Sequence, residues 1–182
     1  SVEGLMCVGF IGFSSASMVF VSQNYAAGYL QRAGKAQLYS TLTALLLGEL
    51  LGIGIYAASG WLTGLYTDSA AIAQAARQRM LFMCLPYGLC GTMNVLSGCI
   101  RGLGNTKVPL VISILCSCVF RIVWIYTYAI PRGTVQAIYF SYPVCWLLAT
   151  TMYIVSFHVL LSGIRRRAEK EETIEAEDAL PE

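Results

Sequence analysis

The chain has 182 residues, of which 57% are hydrophobic and only 12% are charged, with a formal net charge of +2. Soluble domains carry about 25% charged residues, so this composition excludes an ordinary soluble domain. The small net charge, without basic residues interleaved among aromatic ones, also excludes a nucleic-acid-binding protein. Long apolar stretches separated by short polar turns predict an all-α, polytopic membrane protein with five transmembrane helices.

The first two apolar stretches predict spans at about residues 3–25 and 36–59. The first is rich in Gly, Ala and Ser, which allow helices to approach closely, so it should pack against other helices. The second contains Glu49. An ionised carboxylate near mid-membrane costs about 3 kcal/mol, so Glu49 is a candidate proton-responsive group. The alternative is a neutral Glu49 that hydrogen-bonds to a neighbouring helix.

A third helix is predicted at about residues 71–101, with Pro86 and Gly88 near its middle. Proline removes a backbone hydrogen bond and clashes with the preceding turn, so we expect a kink there. Broken helices in membranes are tolerated where they line a cavity or are sheltered by protein. Tyr87 and Asn94, seven residues apart on one helix face, are therefore the candidate substrate-cavity residues. Hydrogen bonding between helices is an equally weighted role for both.

A polar hinge at residues 100–109 separates the third span from the fourth. Arg101 and Lys107 can lie at the depth of the lipid phosphates, and Gly102 and Gly104 permit a tight turn between two helices. The sequence therefore predicts a cytoplasmic corner at this hinge.

The fourth and fifth spans are predicted at about residues 107–130 and 135–162. Arg121 lies deep in the fourth span, where it must extend towards the surface or face a wet interior. The fifth span contains a proline interruption at Pro143 and the only histidine, His158. This histidine is expected near the membrane interface.

The charged residues outside the spans predict the orientation. Residues 1–163 form one predicted transmembrane domain, and the charged tail at 164–182 should be solvated or disordered because it has no apolar stripe. Lysine and arginine are retained on the cytoplasmic side of membranes. Alternate loops place three arginines on one side and eight cations on the other, which should be the cytoplasmic side together with the C-terminus: Arg32, Lys35, Arg101, Lys107, Arg165, Arg166, Arg167 and Lys170.

No catalytic or metal site is predicted. The seven cysteines lie within apolar stretches, where cysteine is usually a small buried hydrophobic residue. Acids, histidines and nucleophiles do not occur at spacings that would bring them together for catalysis. We therefore do not expect a membrane-embedded enzyme, a bound metal or a cofactor.

Four segments, in order along the chain, resemble a known family. Residues 22–28 (SQNYAAG) are similar to a GQN-x-GA segment, and residues 96–109 to an LSG-x-x-RG-x-G-D/N-T-x-x-P segment. Residues 120–122 (FRI) and 141–146 (SYPVCW) are similar to the closing helices of the same family, the multidrug and toxic compound extrusion (MATE) transporters. The four segments span nearly the whole chain apart from its tail.

The resemblance implies a fold of twelve spans in two six-helix lobes around a central cavity. This chain would supply the eighth to the twelfth spans, most of the C-terminal lobe, and the missing N-terminal lobe would be its partner. The chain starts without an initiator methionine, so we expect it to be the later part of a longer protein. The implied function is a cation-coupled antiporter, using H⁺ or Na⁺, that exports drugs or other organic compounds by alternating access.

The coupling site is expected outside this chain. The sodium-coupled branch of the family has an acidic residue about eleven positions before the arginine of the RG pair, where this chain has Cys90. A thiol is a poor ligand for a hard cation such as sodium. The coupling acid of another branch lies in the N-terminal lobe.

Two alternative functions stay open. One is a flippase of lipid-linked saccharides from the same superfamily, and the other is a non-transporting fragment. The expected partners are the lipid bilayer and a small organic substrate, without nucleic acid. The expected location is the plasma membrane, as a multi-pass protein, and specifically a bacterial inner membrane.

Overall fold

A computed structural model describes residues 2–65 and 69–178 of the chain. Within these ranges the chain is helical and contains no β-strand, which confirms the predicted all-α class. The helices, labelled in chain order, are α1 Val2–Ala26, α2 Leu30–Ala57, α3 Ser59–Gly64, α4 Ala70–Cys84, α5 Tyr87–Gly102, α6 Lys107–Arg132, α7 Val135–Tyr139 and α8 Ser141–Asp178.

The helices include several that can cross a membrane. In the described part of the chain, α2, α6 and the helical run Val135–Glu171 are long and apolar enough, and α4 with α5 adds a fourth if the bent pair crosses as one span. Many apolar side chains on the outside are exposed, such as Leu46 and Leu50, as expected for helices that face lipid. Three or four candidate spans are therefore established, while a total of five, and a domain boundary after residue 163, stay predictions.

The turn between α1 and α2 is shorter than predicted. Gly28 adopts a φ of +77°. Its N–H donates to the carbonyl of Tyr25 at 3.0 Å, and the N–H of Tyr29 donates to that of Asn24 at 2.9 Å, the Schellman motif that ends many helices. Because this motif reverses the chain at once, α2 begins at Leu30 rather than near residue 36. The cations of the predicted loop lie on the first turns of α2.

The helix α6 is not regularly α-helical. Two of its turns, Leu115–Val119 and Ile125–Ala129, are π-helical, which means that each holds one more residue than an α-turn. Trp124 lies between them, and its indole N–H donates to the carbonyl oxygen of Ala137 on α7 at 2.9 Å. This bond joins the C-terminal half of α6 to the next helix.

The last span differs from the prediction at both ends. Its break falls at Phe140, between α7 and α8, and Pro143 lies in the first turn of α8, where a missing N–H costs no helical hydrogen bond. The tail was expected to be solvated or disordered. The helix α8 continues through it without interruption to Asp178, with exposed side chains such as Arg165 and Arg166. The last four residues of the predicted tail lie outside the described residues.

The central helix of the fold is α5. It packs against α1, α2 and α8, and its side chains Val95, Leu96, Cys99 and Ile100 are fully buried together with Phe157 of α8. Among the described cysteines, Cys118 of α6 is exposed, which contradicts the predicted packing role for that residue. Five others are buried, as predicted: Cys84, Cys90, Cys99, Cys116 and Cys145.

Candidate functional site at the helix break

The third predicted span is broken near its middle. The helix α4 ends at Cys84 and α5 begins at Tyr87, and the two helices are bent by 43°. Pro86 occupies the N-cap position of α5, with φ of −89° and ψ of 24°. Because proline has no backbone N–H and clashes with the preceding turn, it accounts for the break. The break thus falls at Pro86, where the sequence predicted a kink.

The backbone of α2 touches the backbone of the broken helix. A Cβ atom added at Gly48 would lie 2.6 Å from the Cα of Gly88, and one added at Gly52 would collide with the carbonyl oxygen of Cys84. A Cβ atom added at Gly88 would lie 2.6 Å from the carbonyl oxygen of Leu45. Only glycine allows two helices to approach this closely, so these residues fix where α2 crosses the break.

Glu49 lies next to this glycine contact and faces the break. Its carboxylate accepts a hydrogen bond from the backbone N–H of Gly88, and the side chain is half-buried. The N–H groups in the first turn of a helix have no partner within that helix, and the helix dipole places positive charge there. Glu49, on the neighbouring helix α2, therefore caps the start of α5, the second half of the broken helix.

Tyr87 is buried among aromatic rings. Only 3% of its surface is exposed, and its ring centroid lies 5.6 Å from that of Phe10 on α1 and 5.9 Å from that of Trp146 on α8. Cys90 completes this cluster. The ring of Tyr87 thus joins three helices at the break, and its cavity role stays a prediction.

Asn94 hydrogen-bonds within α5 and towards α1. Its side-chain amide donates to the carbonyl oxygen of Cys90 within α5, at 2.8 Å. The backbone carbonyl oxygen of Asn94 accepts a hydrogen bond from the Ser14 hydroxyl of α1, at 2.7 Å. Asn94 is half-buried, and its described contacts connect α5 with α1.

The aromatic cluster extends to the deep arginine of α6. The guanidinium carbon of Arg121 lies 4.0 Å from the centre of the Tyr142 ring, which in turn lies 6.1 Å from the ring of Trp146. The Nε atom of Arg121 is buried without a hydrogen-bond partner. A cation above an aromatic face is stabilised by the ring quadrupole, more strongly where water is excluded. The sequence analysis did not foresee Tyr142 in this role.

The hinge after α5 forms a second Schellman motif. Gly104 adopts a φ of +83°. Its N–H donates to the carbonyl of Arg101 at 2.9 Å, and the N–H of Asn105 donates to that of Ile100 at 3.4 Å. The Asn105 side chain then accepts a hydrogen bond from the N–H of Val108 at 3.1 Å. One short segment thus ends α5 and caps α6.

The other predicted hinge residues have separate positions. A Cβ atom added at Gly102 would lie 2.7 Å from the carbonyl oxygen of Met18, so this glycine serves packing against α1 and not the turn. Arg101 is exposed, and its guanidinium donates to the Ser14 hydroxyl at 3.4 Å. Lys107 is exposed at the first position of α6.

Paired glycines were the signal that the sequence analysis missed. Gly48 and Gly52 of α2 are four residues apart, and so are Gly98 and Gly102 of α5. Pairs of small residues at this spacing place two backbones in contact in membrane helices. The first pair meets the break, and the second meets the backbone of α1 at Ser14 and Met18.

The described residues contain no group of three or more His, Cys, Asp or Glu side chains that could hold a metal ion.

The helices define a polytopic α-helical membrane protein. They are apolar and of membrane-spanning length, and one pair of them is bent beside the carboxylate of Glu49. A sequence model of the MatE family matches residues 1–127. The chain therefore belongs to the MatE family, whose members are transporters. No curated protein and no solved structure matches the chain.

Proposed function

We propose that the chain forms most of the C-terminal lobe of a cation-coupled antiporter, driven by H⁺ or Na⁺, that exports drugs or other organic compounds by alternating access. The match to the MatE family over residues 1–127 carries this proposal, because the members of that family are transporters. The helix break supports it, since discontinuous helices at membrane depth line the pathways of many transporters. The N-terminal lobe of the same protein would supply the other side of the pathway.

Within this lobe, Glu49 is the proposed proton-responsive group. Its carboxylate accepts the hydrogen bond from Gly88 at the start of α5. Protonation would remove the negative charge that the helix dipole stabilises, and the contact between α2 and the break would weaken. A sodium site is proposed outside this chain, because Cys90 lies buried among Phe10, Tyr87 and Trp146.

Transport by the full-length protein in proteoliposomes tests this proposal. A cationic dye is the cargo, and a proton or sodium gradient is imposed. We expect Glu49→Gln to slow proton-driven export by at least about fivefold, because glutamine cannot bind and release a proton. Thr43→Val is the matched control, since Thr43 is exposed on another face of α2.

Four outcomes would separate the parts of the proposal. Wild-type export by Glu49→Gln would remove Glu49 from the coupling while leaving the antiporter intact. Absence of dye export under either gradient would contradict the antiporter itself, and movement of a lipid-linked saccharide in the same vesicles would support the flippase alternative. A protein that moves neither cargo would be the non-transporting fragment.

The cavity role of Tyr87 and Asn94 is also part of the proposal. Tyr87→Phe keeps the ring that packs against Phe10 and Trp146 but removes the hydroxyl, so it separates substrate contact from packing. We expect Tyr87→Phe and Asn94→Ala to change dye selectivity while the protein stays folded. Unchanged transport of several dyes by both variants would assign both residues to helix packing alone.

We further propose a plasma-membrane location, in a bacterial inner membrane, with the hinge and the C-terminus in the cytoplasm. A cysteine at Thr106 should be protected from an impermeant maleimide in intact cells and labelled in inverted vesicles. A cysteine at Thr134, between α6 and α7, should show the opposite pattern. Both positions are exposed. Labelling of the Thr106 cysteine in intact cells would reverse the proposed orientation.

A further inference from the structure

A long groove lies on the surface of the protein between α2, α5 and α8. Its volume is 680 Å³. The lining runs from Gln31 to Leu45 along α2 and from Arg165 back to Thr150 along α8. Both of these helices pack on α5, with little direct contact between them. The deep end of the groove, at Leu45 and Leu89, adjoins the helix break.

The length of the groove matches one leaflet of a membrane. Lys35 and Leu45 are ten residues apart on α2, a distance of about 15 Å along the helix. Half of the hydrocarbon core of a bilayer is also about 15 Å thick. A groove that starts at the level of Lys35 therefore reaches approximately the middle of the bilayer.

One end of the groove is basic. Lys35 and Arg165 are both exposed and both line it, and His158 lies along the same wall. Arg32 lines an adjoining recess that shares Arg165, and the acidic Glu169 lies in that recess too. No acidic side chain lines the groove itself in the described part of the chain. The mouth thus carries a surplus of positive charge.

The rest of the groove presents mostly hydrocarbon, with the side chains of Gln37 and Thr41 hydrogen-bonded to each other at 3.1 Å on its α2 wall. Leu38, Leu42 and Ile154 line it and are partly exposed. On its floor, the hydroxyl groups of Thr92 and Thr150 lie 3.3 Å apart, within hydrogen-bond distance of each other. Thr92 also donates to a backbone carbonyl of its own helix at 2.8 Å. Because these hydroxyls are satisfied by protein, the deep part offers methyl groups rather than free donors to a ligand.

We propose that this groove binds an anionic phospholipid of the cytoplasmic leaflet. The phosphate lies between Lys35 and Arg165, and one acyl chain extends along the groove towards Leu45. Basic pockets between helices on the cytoplasmic side of a membrane attract acidic lipid headgroups. The bound chain fills the space between α2 and α8 and holds both against α5. The site does not depend on the proposed export activity.

Native mass spectrometry of the full-length protein in detergent tests this site. The two probes are phosphatidylglycerol and phosphatidylcholine with identical acyl chains. We expect the wild-type protein to retain phosphatidylglycerol roughly tenfold better, since two cations contact its phosphate. The double variant Lys35→Gln and Arg165→Gln should retain both lipids equally. The matched control, Arg77→Gln with Arg132→Gln, removes two exposed arginines elsewhere and should keep the preference.

A further variant and a soluble competitor define the ligand. Leu42→Trp should lower retention of both lipids, because the larger side chain fills the acyl path. Glycerol 3-phosphate at millimolar concentration should not displace the lipid. The proposal is overturned if the wild-type protein retains the two lipids equally, if the double variant keeps its preference, or if glycerol 3-phosphate binds as well as the lipid. The proposal is also overturned if neither lipid binds the full-length protein, because the groove is then covered by another helix of the same protein.

Discussion

Replacing Gly48 with alanine should weaken the contact between α2 and the broken helix. The added Cβ atom would lie 2.6 Å from the Cα of Gly88 and 3.2 Å from the ring of Phe10, whereas ordinary contacts begin at 3.4 Å. The two backbones must therefore separate by about 1 Å. Overpacking costs about 1–3 kcal/mol, and a clash with rigid backbone belongs at the upper end of that range. Alanine regains about 1 kcal/mol of helix propensity.

The net loss of about 2 kcal/mol is measurable by thermal unfolding in a fixed detergent. For a chain of this size, each kcal/mol shifts the midpoint by about 2–4 °C, so Gly48→Ala should unfold about 4–8 °C below the wild type. Gly54→Ala is the matched control on the same helix, since nothing lies within 4 Å of its added Cβ atom. This variant should unfold at or above the wild-type temperature. Equal midpoints for the two variants would refute the backbone contact at Gly48.

Two further predictions concern the turn after α5 and the deep arginine. Gly104→Ala should lower the free energy of unfolding by about 1 kcal/mol, because φ is +83° at this residue, and the unfolding midpoint should fall. Gly60→Ala is the control, since open space surrounds its added Cβ atom, and its midpoint should not fall. Tyr142→Leu should cost about 1–2 kcal/mol, because Arg121 would lose the ring beneath its guanidinium. Tyr126→Leu, which changes a ring that is 70% exposed, should leave the midpoint unchanged, and equal midpoints for the two tyrosine variants would contradict the cation–π contact.

The sequence predicted the features that depend on chemistry local to the chain. Proline at position 86 predicted the break because its effect on a helix needs no neighbour. The glycine at 104 predicted a tight turn because its backbone freedom is intrinsic. The all-helical class followed from long apolar stretches, and the structure confirms it. These inferences share one property, which is that they need only the covalent structure and the solvent.

Features that depend on distant partners were not predicted. The stacking of Arg121 on Tyr142 joins residues of two different helices, and apolar periodicity carries no information about such pairs. Pro143 was expected to interrupt the last span, but the break at Phe140 places it in a first turn, where it is harmless. The groove between α2 and α8 likewise required the packing of both helices on α5.

The two π-turns of α6 have a consequence for insertions and deletions. Each closes its hydrogen bonds over one extra residue, so deleting a single residue within Leu115–Val119 would leave an ordinary α-helix of nearly the same length. Residues beyond the deletion would keep nearly the same facing, so Trp124 would still reach its acceptor on Ala137. A deletion in a regular α-helical turn would instead rotate everything beyond it by about 100°. The shortened segment could still cross a bilayer. The two π-turns are therefore the places in α6 where one residue can be lost without turning the wrong side of the helix towards its neighbours.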